Sequence, residues 1–276
     1  MKFFIHKIIK YIILPFGILY RMVNRENEEI IILMYHRVND KVKKELSVKE
    51  KDFKWQMRYL KRKGYSLLTM DEVFRKIKDN KIKGRHIVLS FDDGYEDYIT
   101  NAFPILYQYG FPSILYLVPG YIDHNKVFWW DKDLGKSDLL SWQQILKLKE
   151  NNLVEIGSHT QHHLDLDKLE EDQLAFEIKK SKEEIENRLN NKVCHFSYPR
   201  GIYNKVAEKI IFSHYDTGVL ILNGIPITPF ININYRTRLK RTPIQRSDGK
   251  ILFIARIKGW LVLEEVLRKI AGFLRE

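Results

Sequence analysis

Apolar residues recur along the chain in short runs separated by longer stretches of helical period. Ile30–Tyr35, Ile87–Phe91, Ser113–Val118, Val154–Ile156, Val193–Ser197 and Thr217–Leu222 have the length and composition of buried strands. Between them, Glu50–Lys63 places Phe53, Met57 and Leu60 on one face, and Ser141–Glu150 is helical. Asp97–Tyr109 reads as a helix that Pro104 can kink, and Leu169–Leu189 as a long charged helix with Leu174, Ile178, Ile185 and Leu189 inward. Strands alternating with helices predict parallel βαβ units. Repeated this often, they predict an α/β barrel with fewer than eight strands. An open doubly wound sheet competes with it, and periodicity alone does not separate the two. No internal repeat and no low-complexity linker is present.

The two ends depart from this pattern. Phe3–Val23 is mostly apolar but carries Lys7, Lys10, Pro15 and Gly17, and its uncharged stretch Tyr11–Tyr20 is too short for a free membrane span. It has no small-residue cleavage pattern of the secretory kind. The expectation is an interfacial anchor with snorkelling lysines; a tilted span and a helix packed on the domain are the alternatives. The tail Lys250–Phe273 is helical in pattern, apolar and basic. The chain therefore divides into a membrane-associating segment (1–24), a main domain (25–246) and a helical extension (247–276). This organisation favours the cell envelope over the free cytoplasm.

Composition narrows the reading further. The chain has 276 residues, 45% hydrophobic and 30% charged, which is globular and sufficient for one large domain. A net charge of +12 favours acidic partners. The basic clusters Lys43-Lys44, Lys61-Arg62-Lys63 and Lys179-Lys180 nevertheless mix with acids or lie on helical faces, and no nucleic-acid motif accompanies them. A solvated basic surface without a nucleic-acid partner is expected. The single cysteine, Cys194, excludes an internal disulfide and reads as a buried structural thiol. No pattern in the sequence sets an oligomeric state.

The chemistry-bearing residues follow the apolar runs directly. His36 follows the first, Asp92 and Asp93 the next, His159 and His163 another, and Tyr198-Pro199-Arg200 another. In a parallel α/β fold these positions share the face at the carboxyl ends of the strands, where active sites are built. Adjacent carboxylates beside a buried run are costly unless paired or bound to a cation. One can ligate while its neighbour faces a water. An Asp-rich turn or helix N-cap is the plainer reading of the same dipeptide. Histidines four apart, His159 and His163, can face one way within one helical turn, with His162 a bystander. Two imidazoles and a carboxylate with an open position form the ligand set of a catalytic zinc site.

Three stretches taken together resemble the NodB-type polysaccharide deacetylases, the family-four carbohydrate esterases: Ser90-Phe91-Asp92-Asp93-Gly94, Gly157-Ser158-His159-Thr160-Gln161-His162-His163 and Phe196-Ser197-Tyr198-Pro199-Arg200-Gly201. Met34-Tyr35-His36-Arg37-Val38 and Leu239-Lys240-Arg241-Thr242-Pro243 resemble the branch that de-N-acetylates poly-N-acetylglucosamine. The resemblance implies a distorted (β/α) barrel and a divalent metal, most often Zn2+. By position, Asp93, His159 and His163 would be ligands and Asp92 the general base. The Arg200 N–H would be the oxyanion donor, and Arg241 would orient Asp92. The implied activity is removal of N-acetyl groups from a glycan or lipid-linked sugar. Two departures stand out: Ser197 and Arg200 occupy places that usually hold an arginine and an aromatic, and the late Leu-x-His that supplies the general acid is not evident. Leu220-Ile221-Leu222 occupies the corresponding strand and His214 lies upstream, so His36 is the preferred proton donor. Trp129 and Trp130 are candidates for a sugar-stacking wall, and Trp142 for the core. A catalytically impaired carbohydrate-binding or scaffolding barrel and an O-acetyl esterase are the competing functions.

Overall fold

Alternation along the strands determines what this chain encloses. The structure, a computed structural model, describes residues 2–24, 28–124, 126–221, 227–229 and 231–264, with side chains from Lys7 onward. The strands are β1 (Glu29–Tyr35), β2 (Arg37–Val38), β3 (Ser47–Val48), β4 (Ser66–Leu67), β5 (Arg85–Phe91), β6 (Ser113–Leu117), β7 (Val154–Ser158), β8 (His195–Ser197), β9 (Thr217–Ile221) and β10 (Leu239–Pro243). β1 pairs in parallel with β5 on one edge and with β10 on the other. The remaining neighbours, β6 to β9, complete a closed parallel barrel of seven strands, with β4 added outside on β5. Closure decides against the open sheet.

Period-two alternation sorts the side chains between two layers. Ile31, Leu33 and Tyr35 of β1 and Ile87, Leu89 and Phe91 of β5 pack outward against the helices, in the larger core. Ile30, Ile32, Val88, Ile114, Tyr116 and Val219 form a second core within the ring, joined by Met70, Val73 and Ile77 of the helix Met70–Lys78. Gly157 makes room for the ring of Tyr116, which a Cβ there would approach to 2.4 Å. Moving up β5, inward positions pass from Val88 to Ser90 and then to Asp92; on β10 they pass from Leu239 to Arg241. The barrel is thus apolar at its base and polar at its mouth.

The helices broadly follow the periodicity, with two refinements. The helix Glu50–Arg62 buries Phe53, Met57 and Leu60. The segment from Tyr98 opens as a π-helix, Tyr98–Ala102, before the α-helix Phe103–Tyr109, which carries Pro104 in its first turn where a missing N–H is harmless. The long charged helix likewise contains a π-helical turn, Phe176–Lys180, between Glu171–Ala175 and Ser181–Leu189. Trp142 is buried in the core and Cys194 is only half-buried.

The first helix, Lys2–Val23, packs on the domain along one face. Lys10 is buried and donates to Gln245 and to Asp248 (2.7 Å), while Ile13 packs with Leu252, Ala255 and Leu261. Asp248 is shared with Arg256, at 2.6 Å, whose guanidinium also reaches Glu264 at 2.9 Å. No helix among the described residues is long and apolar enough to cross a membrane. Within the tail, the helix Gly249–Ile257 is described, and residues 265–276 and Leu222 lie outside the described residues.

Candidate active site

β5, β7, β8 and β10 each deliver polar groups to the barrel mouth. Asp93 follows β5 with φ 72°, a left-handed conformation that turns its carboxylate away from that of Asp92. After β7 the chain does not form the helical turn expected for His159 and His163. Thr160 (φ 65°) and His163 (φ 54°) are both left-handed, and the Thr160 Oγ1 accepts the His163 N–H at 2.9 Å. This double bend brings the imidazoles together, with ring centroids 4.7 Å apart. Asp93, Thr160, His163 and Arg200 (φ 55°) are four non-glycine residues held in this costly region around one mouth.

Asp93 Oδ1 lies 3.6 Å from His159 Nε2 and 3.7 Å from His163 Nε2. These separations are too long for hydrogen bonds and suit three donors around one cation. Asp93 Oδ1 is buried without a hydrogen-bond partner among the described residues. Burial, then the charges of Asp92 and Asp131, push the Asp93 carboxyl well above the ordinary carboxylate range. Burial lowers both His159 and His163, leaving neutral rings with a lone pair to offer. His159 Nδ1 lies 2.7 Å from the Ser197 carbonyl, which as acceptor directs the other nitrogen to the shared point. The residues therefore fit a divalent cation, and Asp93, His159 and His163 are the three groups that would hold it.

Asp92 sits beside this trio. Its two oxygens each accept a 2.6 Å bond from Arg241, a bidentate fork between buried partners. Burial opposes ionisation of Asp92, but the Arg241 charge, then His159, and the Arg241 hydrogen bonds outweigh it, holding the carboxyl well below the usual range. Asp92 Oδ2 lies 3.8 Å from His159 Nε2 and faces the cation position. Arg241 also donates to Ser197 Oγ (2.9 Å) and Ser90 Oγ (3.2 Å). The sequence placed both serines in motifs without giving them roles.

The remaining expected residues surround this centre. His36 Nε2 lies 4.0 Å from Asp93 Oδ2, and its Nδ1 is buried without a partner among the described residues. Burial lowers its pKa to about 4. Arg200 follows β8 and pairs through Nε with Asp165 at 3.1 Å, just beyond the histidine loop. Trp130 packs edge-on against His163, with centroids 4.7 Å apart, and donates to Tyr95 Oη at 2.8 Å. Tyr95 in turn donates to the buried Asp131 at 2.7 Å. Trp129 is exposed beside it, so the two indoles stand at the mouth rather than in the core.

His162 proves more than a bystander. Glu177, in the π-helical turn, accepts the His162 N–H at 2.7 Å on one oxygen and faces His162 Nδ1 at 2.7 Å with the other. Its carbonyl accepts the Gln161 N–H at 3.0 Å. π-turns free carbonyls from the helical ladder; here that carbonyl and the carboxylate hold the ligand-bearing loop. Nothing in the sequence marks Glu177, one of many acids on a charged helix. A second cluster, Asp71, Glu155 and His195, closes the barrel base. Glu155 accepts the Met70 and Asp71 N–H groups at 2.6 and 3.0 Å and His195 pairs with Asp71 at 3.1 Å, so these groups satisfy one another.

Comparison with known proteins places this geometry. Residues 79–214, which carry the Asp-Asp and His motifs, match the model of the family described as polysaccharide deacetylase. These residues form a polysaccharide deacetylase domain. Among its relatives, the Bacillus subtilis protein YxkH, named as a polysaccharide deacetylase, is 31% identical over 183 residues, or 64% of this chain. The match spans only 60% of that protein's length. The poly-β-1,6-N-acetyl-D-glucosamine N-deacetylase of Staphylococcus epidermidis is 26% identical over 219 residues, 69% of this chain and 73% of that protein. In structure, the Streptococcus pyogenes deacetylase PplD superposes with a TM-score of 0.72 at 24% identity, over 84% of this chain and 99% of that one. That likeness shows a shared barrel fold.

Proposed function

We propose that the chain is a metal-dependent N-deacetylase acting on an N-acetylated glycan or a lipid-linked sugar, with Zn2+ as the cation. One observation carries the reading: Asp93, His159 and His163 converge on a point that Asp92 Oδ2 also faces. When bound, a divalent cation polarises the acyl carbonyl and acidifies a water. Asp92 accepts the proton as water attacks. Arg241 keeps Asp92 ionised and fixes its direction, at some cost in basicity. The Arg200 N–H is assigned to the developing oxyanion. His36, beside Asp93, is assigned to moving the proton toward the leaving amine. Exposed Trp129 offers an aromatic face for a sugar ring.

The impaired-barrel alternative rests on the missing third-motif arginine and the missing late Leu-x-His. Ser197, in the arginine's place, hydrogen-bonds Arg241, so a guanidinium still serves Asp92. Names of relatives support an N-acetylglucosamine polymer as the substrate class. The test is acetate release from N-acetylated and O-acetylated oligosaccharides by zinc-loaded and chelator-treated protein. Release from the N-acetyl substrate that chelation abolishes is expected. Preference for the O-acetyl substrate overturns the N-deacetylase assignment, and chelator-insensitive turnover overturns the metal.

A further inference from the structure

The first helix is amphipathic in the wrong sense for a soluble protein, in which such a helix turns its apolar stripe inward. Its inward stripe, at helical spacing, is Lys10, Ile13, Gly17 and Arg21. Lys10 reaches Asp248, and Arg21 pairs with the buried Glu29 at 2.6 Å. Gly17 lies so close to Trp260 that a Cβ would stand 1.7 Å from its carbonyl oxygen. The outward face carries Ile12 (61% exposed), Phe16 (62%) and Leu19 (61%), with Tyr11, Tyr20 and Met22 also exposed. The docked stripe thus holds two cations and a glycine around a single buried isoleucine, while a larger apolar stripe faces outward.

Adjacent helices extend this face. The helix Gly249–Ile257 lies between the first helix and Glu50–Arg62: Leu252 and Ala255 meet Ile13, while Phe253 meets Trp55 with centroids 6.2 Å apart. Glu50–Arg62 opens a groove lined by Trp55, Arg58, Tyr59, Arg62 and Lys63. Lys250 stands over the Trp55 ring at 5.5 Å. Aromatic rings with polar edges beside guanidinium and ammonium groups suit the headgroup layer, and an adjoining apolar ridge suits the acyl boundary.

We infer that this flank of the barrel is a docking surface for an anionic lipid bilayer, with the outward stripe of the first helix inserted and Arg58, Arg62 and Lys63 on the headgroups. The occupant follows from charge complementarity: these groups are cationic, on a chain of net charge +12. An outward apolar stripe this large is otherwise a liability. The inference is independent of the proposed chemistry.

The experiment is flotation of the full chain with phosphatidylcholine vesicles, with and without phosphatidylglycerol. The wild type is expected to float with the anionic vesicles and far less with the neutral ones. Ile12→Glu with Phe16→Glu, and separately Arg58→Glu with Arg62→Glu, are each expected to weaken partitioning about tenfold or more. An unchanged circular-dichroism melt verifies the fold; Ile12 and Phe16 are exposed, so they tolerate charge. Failure of the wild type to float, or apolar-face variants that float like it, overturns the inference. A dimer that the Ile12–Phe16 variant abolishes, without vesicle binding, assigns the face to a second copy and overturns it as well.

Discussion

Asp92 and Arg241, 149 positions apart in sequence, meet inside the barrel through two parallel hydrogen bonds of 2.6 Å. The fork orients Asp92 and holds its carboxyl well below the usual range, next to the trio of Asp93, His159 and His163. Asp92→Asn keeps the shape and loses the proton acceptor. Turnover should fall by roughly 10²–10⁴-fold while cation content, read by mass spectrometry, stays at the wild-type level. Full activity in that variant contradicts the base assignment.

Arg241→Lys preserves charge and loses the fork. Ser90 and Ser197 then lose their shared donor geometry as well. A kcat loss smaller than that of Asp92→Asn is expected, with KM nearly unchanged, since Arg241 is buried behind Asp92. A change confined to KM would place Arg241 on the substrate instead.

Asp93→Ala should remove cation binding together with activity. Isothermal titration with Zn2+ reads the first and acetate release the second. Retained zinc affinity would disprove the trio as the ligand set.

Glu177→Ala tests the loop support apart from the ligands. It unties the His162 ring and the His162 N–H while leaving Asp93, His159 and His163 intact. Cation affinity should drop about tenfold or more, in the range found for residues that orient ligands. Unchanged zinc affinity would reduce Glu177 to a packing contact without influence on the cation site.

Lys10 links the first helix to the pH response of the fold. Burial opposes ionisation of Asp248, but Arg256 and Lys10 outweigh it and hold its carboxyl down to about 2. A carboxyl depressed on folding stabilises the native state above its unfolded pKa, and that contribution is lost as pH falls from about 4 through about 2. Lys10→Met removes one of the two cations and should cost about 3 kcal/mol near neutrality. Urea unfolding along that pH range should show the gap from wild type closing. By the same reasoning, deletion of residues 1–24 should destabilise the domain rather than merely release a tether.

The sequence disclosed the barrel because β1, β5, β6 and β9 lie in short, mostly apolar runs at regular intervals, and the motifs because they follow such runs. β10 escaped that reading: Lys240, Arg241 and Thr242 interrupt its apolar pattern, although Arg241 itself was identifiable by resemblance. The spacing of His159 and His163 suggested a helical turn, whereas left-handed residues make the convergence, and left-handed φ at Thr160 and His163 has no glycine to advertise it. Glu177 was invisible because its role depends on a π-turn and on a loop distant in sequence. The docking of the first helix depends on Lys10, a cation that hydropathy counts as a solvent-seeking residue.

Ring closure carries a consequence for biosynthesis. β1 leaves the ribosome before every other strand of the ring, yet one of its edges is completed only by β10, about 200 residues later. Until then the nascent chain presents an unpaired, strongly apolar strand edge, the kind of template that recruits other chains. Stop codons or proteolytic nicks before Leu239 should therefore yield aggregates instead of a shortened soluble enzyme.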